Sequence, residues 1–244
     1  MSNYKLIISY DGRNFKGWQT QPKDRTVQAT IENAIKDIFN IQDIKLIGSG
    51  RTDSGVHANN QVANFNLLTN MNEDQIRNAL NSKLPQDIFI KNCIEVNEDF
   101  HSRFSALKRE YKFYIVPEYS PTNRFYTWLI TYDFDYDTLI KCSKLILGEH
   151  DFSFFSKMSN DVENKKCNIL ESVWQNQNGL YIYKIKGNRF LHHMVRFLVG
   201  TMFEVARGRF TIDNFKDMLD CKKTNCYPVC APASGLFLDR VIYE

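Results

Sequence analysis

The clearest pattern in the chain lies between Phe190 and Ala206. Leu191, Met194, Val195, Leu198, Val199, Met202 and Phe203 recur at i, i+3, i+4, i+7, i+8, i+11 and i+12, the spacing of a core-facing helical stripe. Arg189, His192 and Arg196 fall on a different face of that predicted helix. Val27, Ile31, Ala34, Ile35 and Ile38 mark a second helix, with Thr26 as its N-cap, and Leu139, Cys142, Leu145 and Ile146 a third. Tyr4–Tyr10 and Tyr111–Val116 read as strands, each followed by an aromatic loop and then one of these helices. A strand pair comes next in each half, Ile44–Ile47 with Gln61–Leu67 and Asn168–Trp174 with Leu180–Lys186. A helix closes each half, Asn72–Lys83 and then Phe190–Ala206. Two copies of β-α-β-β-α predict an α+β protein with an internal duplication.

Composition narrows the class. The 244 residues suffice for one large domain or two lobes, and 43% apolar with 24% charged residues is ordinary for a soluble chain. The net charge of +3 does not by itself demand a polyanionic partner. Basic residues do cluster with aromatics: Arg103, Lys108, Arg109 and Lys112 lie close together, and Arg207 and Arg209 follow the last helix. Such clusters suit nucleic acid, and equally a solvated basic face. No run approaches the roughly 20 apolar residues of a membrane span, and Met1–Lys5 lacks signal-peptide anatomy, so the chain reads as cytoplasmic. Its six cysteines are then free thiols, and Cys221, Cys226 and Cys230 lack the paired spacing of a zinc site. No phosphate-binding glycine motif is visible.

Candidate chemistry centres on Gly48–Ala58, where three glycines surround Arg51 and Asp53 after a strand-like run. Glycine permits tight turns and close approach, and a loop at a strand tip commonly presents reactive groups. Asp53 therefore reads as displayed; a turn-capping Asp is the plain alternative. Arg196 interrupts an apolar helix, and a buried arginine needs an anionic partner. That partner is Asp53 or a structural carboxylate, unless the side chain reaches solvent. His192 and His193 read as phosphate contacts or core fillers rather than catalytic bases.

Five segments, taken in order, carry a resemblance. They are Ser9–Gly12 through Gly17–Gln19; Gly50–Ala58; Phe100–Ala106 with Arg109–Tyr114; Phe190–Arg196 with Val199–Gly200; and Ala231–Leu238. Over nearly its whole length the chain resembles the tRNA pseudouridine synthase A family. The resemblance implies two ferredoxin-like lobes joined into one mixed, mainly antiparallel sheet, with helices on one side and an RNA cleft on the other. The lobes would span 1–105 and 106–244. It implies that Asp53 is the catalytic aspartate, that Tyr111 stacks on the target base and that Arg196 pairs with Asp53. Leu236 would wall the base pocket and Arg51 would hold the RNA. It further implies a homodimer acting without a cofactor or metal on tRNA, at uridines of the anticodon stem-loop just 3′ of the anticodon.

The chemistry agrees with these residue types. Moving the sugar from N1 to C5 of uracil is an isomerisation that requires no redox partner, and an ionised carboxylate can attack carbon or accept a proton. Flipping the base out costs stacking energy that an aromatic ring partly returns. Arg103, Lys108, Arg109, Arg189 and Arg207 would meet phosphates. One segment departs from the family pattern: Ser159–Cys167, after Asp151–Phe155, lacks the expected Ser/Thr-Arg-Thr sequence. Another tRNA site, ribosomal RNA, a non-catalytic RNA-binding role and a nucleoside hydrolase are the rival readings.

Overall fold

Ser2–Tyr10 alternates strictly enough that Tyr4, Leu6, Ile8 and Tyr10 are all buried on one face of the first strand. A computed structural model describes residues 1–157 and 164–244. Its strands are β1 (Ser2–Tyr10), β2 (Ile47–Gly48), β3 (His57–Leu67), β4 (Ile88–Val96), β5 (Lys108–Val116), β6 (Trp128–Leu129), β7 (Gly148–Asp151), β8 (Lys166–Gln177), β9 (Leu180–Gly187) and β10 (Leu236–Ile242). Its helices are α1 (Val27–Phe39), α2 (Glu73–Lys83), α3 (Tyr136–Leu145), α4 (Met194–Ala206) and α5 (Ile212–Leu219). The described residues form an α+β protein of mainly antiparallel strands, divided into two compact units: Met1–Leu107 with Phe237–Glu244, and Lys108–Leu236. The last eight residues, grouped with 106–244 in the sequence reading, fold with the first unit.

In the first unit the strands run β4-β1-β3, with β2 paired antiparallel to one end of β3 and β10 parallel to the other. The order β1-α1-β2-β3-α2-β4 is ferredoxin-like. Helix α1 buries Val27, Ile31, Ala34 and Ile35, as its periodicity predicts, and stops where Asn40 turns left-handed at φ 50°. Thr26 occupies the N-cap position but makes no side-chain cap bond. Helix α2 starts with a full capping box between Asn72 and Gln75. The second unit runs β5-β9-β8-β7, all antiparallel, with β6 parallel to β5. Along the chain β5-α3-β8-β9-α4 repeats the order of the first unit. Phe203 of α4 centres its core, with ring centroids 5.0 Å from Trp128, 5.0 Å from Phe134 and 5.7 Å from Trp174.

Two expectations need correction. The helix predicted from Phe190 begins at Met194, because His193 adopts a left-handed conformation at φ 64° and Leu191–His193 form a turn. Arg189 and His192 therefore do not share a helical face with Arg196. The strand predicted over Ile44–Ile47 shrinks to Ile47–Gly48.

The first unit's sheet carries a buried polar network on the face opposite Leu6 and Ile8. Asn64 donates to Asn3 Oδ1 at 3.0 Å and accepts from both Ser102 N–H (2.9 Å) and Ser102 Oγ (2.7 Å). Asn3 Nδ2 donates to the carbonyls of Asn97 and Phe100. These bonds fix the segment after β4 onto the sheet. Asn64→Leu keeps the volume but strands several buried polar atoms, each loss costing about 1–3 kcal/mol. The urea midpoint should fall accordingly; an unchanged midpoint would show that the network adds nothing to stability.

Candidate active site

The loop that presents Asp53 is held by the segment leading from β1 to α1. Gly12 lies against it so closely that a Cβ there would sit 2.0 Å from the Val56 carbonyl oxygen. Gly17, at φ +90°, would place a Cβ 2.6 Å from the Thr52 carbonyl oxygen. Gly48 packs on the Trp18 indole, again at a distance no side chain permits. Hydrogen bonds complete the bracing. Tyr10 Oη and Thr52 Oγ1 are 2.7 Å apart, Trp18 N–H donates to the Thr52 carbonyl, and Gly55 N–H donates to the Phe15 carbonyl. Ser49 Oγ also donates to Gln61 Oε1, and Gln61 Nε2 donates to the Gly50 carbonyl. Asp53 itself is half-buried and Arg51 is exposed.

His57 ends the loop inside the core. Its ring stacks on Phe237 of β10 at 4.5 Å, and its Nδ1 is 3.1 Å from Gly12 N–H and 3.2 Å from Asp11 Oδ1. The first contact needs Nδ1 unprotonated and the second needs it protonated. The sequence reading missed this bracing. The glycines Gly12 and Gly17 in the first matching segment were its signal.

In the second unit one segment links Arg196, Tyr111 and Leu236. Arg196 Nε donates to the Ala231 carbonyl at 2.8 Å, and Ala231 N–H donates back to the Arg196 carbonyl at 3.0 Å. One turn further on, a Cβ on Gly200 would meet the Val229 carbonyl oxygen at 2.1 Å, and Val229 N–H donates to Thr201 Oγ1. The chain then reaches Gly235, packed on the Phe113 ring and the Tyr114 carbonyl, before Leu236, which is buried. Tyr111 pairs with Ile185 across β5 and β9, is half-buried and meets Phe190 edge-on at 5.1 Å. Glu110, its neighbour on the opposite face, is buried between Lys184 and Lys186, which also pair with Glu171. The bond from Lys186 holds the Glu171 carboxyl below its ordinary range.

The basic residues differ in what occupies them. Arg103 and Lys108 are exposed. Arg109 is half-buried and donates to the Asn188 carbonyl. Arg189 and His193 are half-buried and His192 is exposed. Arg207 pairs with Glu204 at 2.7 Å and lies over the Tyr132 ring, and Arg209 approaches the same Glu204. Of the departing segment Ser159–Cys167, residues 159–163 lie outside the described residues. Burial pushes the thiols of Cys93 and Cys142 up to about 12 and that of Cys167 to about 11. No helix among the described residues is long and apolar enough to cross a membrane.

A carboxylate held on a braced loop is a group that can accept a proton or attack carbon. Residues 6–105 and 142–244 match a family model described as tRNA pseudouridine synthase. The tRNA pseudouridine synthase A of Chlorobium phaeovibrioides is 39% identical over 244 residues, and that of Acetivibrio thermocellus 38% over 245, each alignment covering both chains completely. A chain of the archaeal box H/ACA sRNP Nop10–Cbf5 complex aligns with 88% of this chain and 52% of that one. Its TM-score of 0.36 and 11% identity are too low to add to the fold described above. The chain belongs to the tRNA pseudouridine synthase family, and is thus an isomerase.

Two outcomes follow from this geometry. Gly17→Ala, forced at once by φ and by the Thr52 carbonyl, should displace the Asp53 loop and cut turnover at least tenfold while leaving a folded protein, as circular dichroism and rate assays will read; full activity would mean the bracing is dispensable. A thiol reagent applied at pH 8 should leave Cys93, Cys142 and Cys167 unreacted until the protein is unfolded, and early reaction at any of them would contradict their burial.

Proposed function

We propose that this enzyme isomerises uridine to pseudouridine in the anticodon stem-loop of tRNA, just 3′ of the anticodon, with Asp53 as the catalytic carboxylate. The family supports the reaction. The observation that carries the choice of Asp53 is its place on a loop whose backbone is pinned at Thr52, Gly55 and Val56 by groups from the neighbouring segment.

In this reading the N1–C1′ bond breaks, the uracil turns, C5 bonds to C1′, the C5 proton leaves and N1 takes up a proton. The product has the same atoms as the substrate, so no cofactor is consumed. Asp53 must be ionised to act, and desolvation by bound RNA opposes that. Arg196 is the proposed counter-charge. Its Nε bond to the Ala231 carbonyl orients the guanidinium plane and so supports a fixed partner rather than a roaming one. Tyr111 offers its ring to the flipped base, and Leu236, on the segment Arg196 holds, lines the pocket. Arg51 helps hold the RNA while the target nucleotide is flipped out. Arg103, Lys108, Arg109, Arg189, His192 and His193 meet phosphates, which adds salt dependence but no sequence choice. Two copies of the chain would share one tRNA.

The test uses tRNA carrying tritium at uridine C5. The pure protein should release tritium without any added cofactor, and mapping should place pseudouridine just 3′ of the anticodon. Release with modification elsewhere would overturn the site, and no release would overturn the function. Asp53→Asn should lower turnover at least roughly 10²-fold with tRNA binding retained. With Arg196 as the counter-charge, Arg196→Met should move the acidic limb of the pH–rate profile to higher pH. An acidic limb in the same place would count against the pairing.

A further inference from the structure

Segment Phe100–Leu107 is anchored far more firmly than a connector between two strands requires. Ser102 is fully buried, with its N–H and hydroxyl on Asn64 and its carbonyl accepting from Tyr243 Oη at 2.8 Å. The Phe100 carbonyl accepts from Asn3 Nδ2 at 2.9 Å, and the Phe100 ring lies 5.1 Å from that of Tyr243. His101 N–H donates to Ser105 Oγ and Ser105 N–H donates to the His101 carbonyl, closing a tight turn. Inside it, His101 Nδ1 accepts from the N–H groups of Arg103 (3.2 Å) and Phe104 (3.3 Å), which fixes both the ring and its tautomer.

What this frame presents is an aromatic ring in water. Phe104 is 76% exposed, more than any other large apolar side chain among the described residues except Met1 and Leu68. Its centroid lies 4.4 Å from that of His101, the planes tilted by 33°, and the Arg103 guanidinium carbon is 5.6 Å from it. A flexible exposed phenylalanine needs no explanation, but one backed by a second ring and set on a buried hydrogen-bond network is preorganised. Flat π-faces next to a cation are what unstacked nucleobases bind, the base on the ring and the phosphate near the charge.

We propose that Phe104, backed by His101 and flanked by Arg103, is a stacking platform for an unstacked base of the substrate RNA, distinct from the target base assigned to Tyr111. The proposal rests on the RNA substrate of the function proposed above. It adds a subsite that reads the presence of a splayed-out base rather than its identity, since every base has a π-face.

Because Phe104 is exposed, its replacement should leave the fold intact. Phe104→Ala should weaken tRNA binding and raise KM by about tenfold or more, with kcat little changed. The slope of log affinity against log salt should stay the same, because no charge is removed. Phe104→Trp should restore binding and Phe104→Leu should not. Wild-type binding by Phe104→Ala, rescue by Leu equal to that by Trp, or no rescue by Trp would each overturn the platform. These outcomes are separate from the test of Asp53: active wild-type enzyme with an indifferent Phe104→Ala sinks the platform alone, whereas inactive wild-type enzyme sinks the function and the platform with it.

Discussion

Gly12 and the Val56 carbonyl approach each other so closely that no side chain can stand between them, and the geometry of the Asp53 loop depends on that contact. A half-buried carboxylate on a free loop would sample many positions, and ordering each residue costs about 1–2 kcal/mol of backbone entropy. Here the ordering is achieved on folding. Gly12 and Gly17 admit the neighbouring backbone, Tyr10 and Trp18 bond to Thr52, and His57 carries the end of the loop into the core against Phe237. A ligand that reached this loop would meet it already in place, which is the condition for positioning to lower a barrier.

The second unit uses the same device. Gly200 on α4 admits the Val229 carbonyl, and the reciprocal bonds between Arg196 and Ala231 lock the passing chain to the helix. Gly235 does likewise against Phe113, one pleat along the strand face from Tyr111. An arginine in an apolar helix is expensive unless its donors are met. With Nε committed to a backbone carbonyl, the side chain loses the freedom that would let it swing to solvent, and its charge acquires a direction.

Much of this was legible in the sequence, for identifiable reasons. The α1 stripe and the α4 stripe from Met194 onward survive intact because a 3.6-residue period over three turns has few other solutions. The start of α4 was misplaced because Leu191 and His192 continue the period by chance of composition, and only the left-handed backbone of His193 ends it. A positive φ at a histidine leaves no mark in apolar spacing. Strand β7 and helix α5 escaped because short segments carry little period, and β4, as long as β1, because its buried positions do not alternate strictly. The role of the residues around Gly12 was hidden for another reason: close packing between backbone segments forty residues apart is a tertiary fact, and glycine alone announces only that something comes near.

Charge was the least legible property, because pairing decides what a basic residue can offer. Lys184 and Lys186 are tied up with Glu110 and Glu171, and Arg207 and Arg209 both approach Glu204. Those four cations are largely neutralised at short range, and beyond a Debye length of about 8 Å they add little to the field that a polyanion feels. Arg103 and Lys108 lie on exposed chain beside the anchored turn at His101–Ser105. The buried Asn3–Asn64–Ser102 network therefore does for exposed groups what the glycine contacts do for Asp53. It converts a surface segment that would otherwise wander into one whose ring and charge stand at fixed positions, so that less entropy is lost when a ligand is engaged.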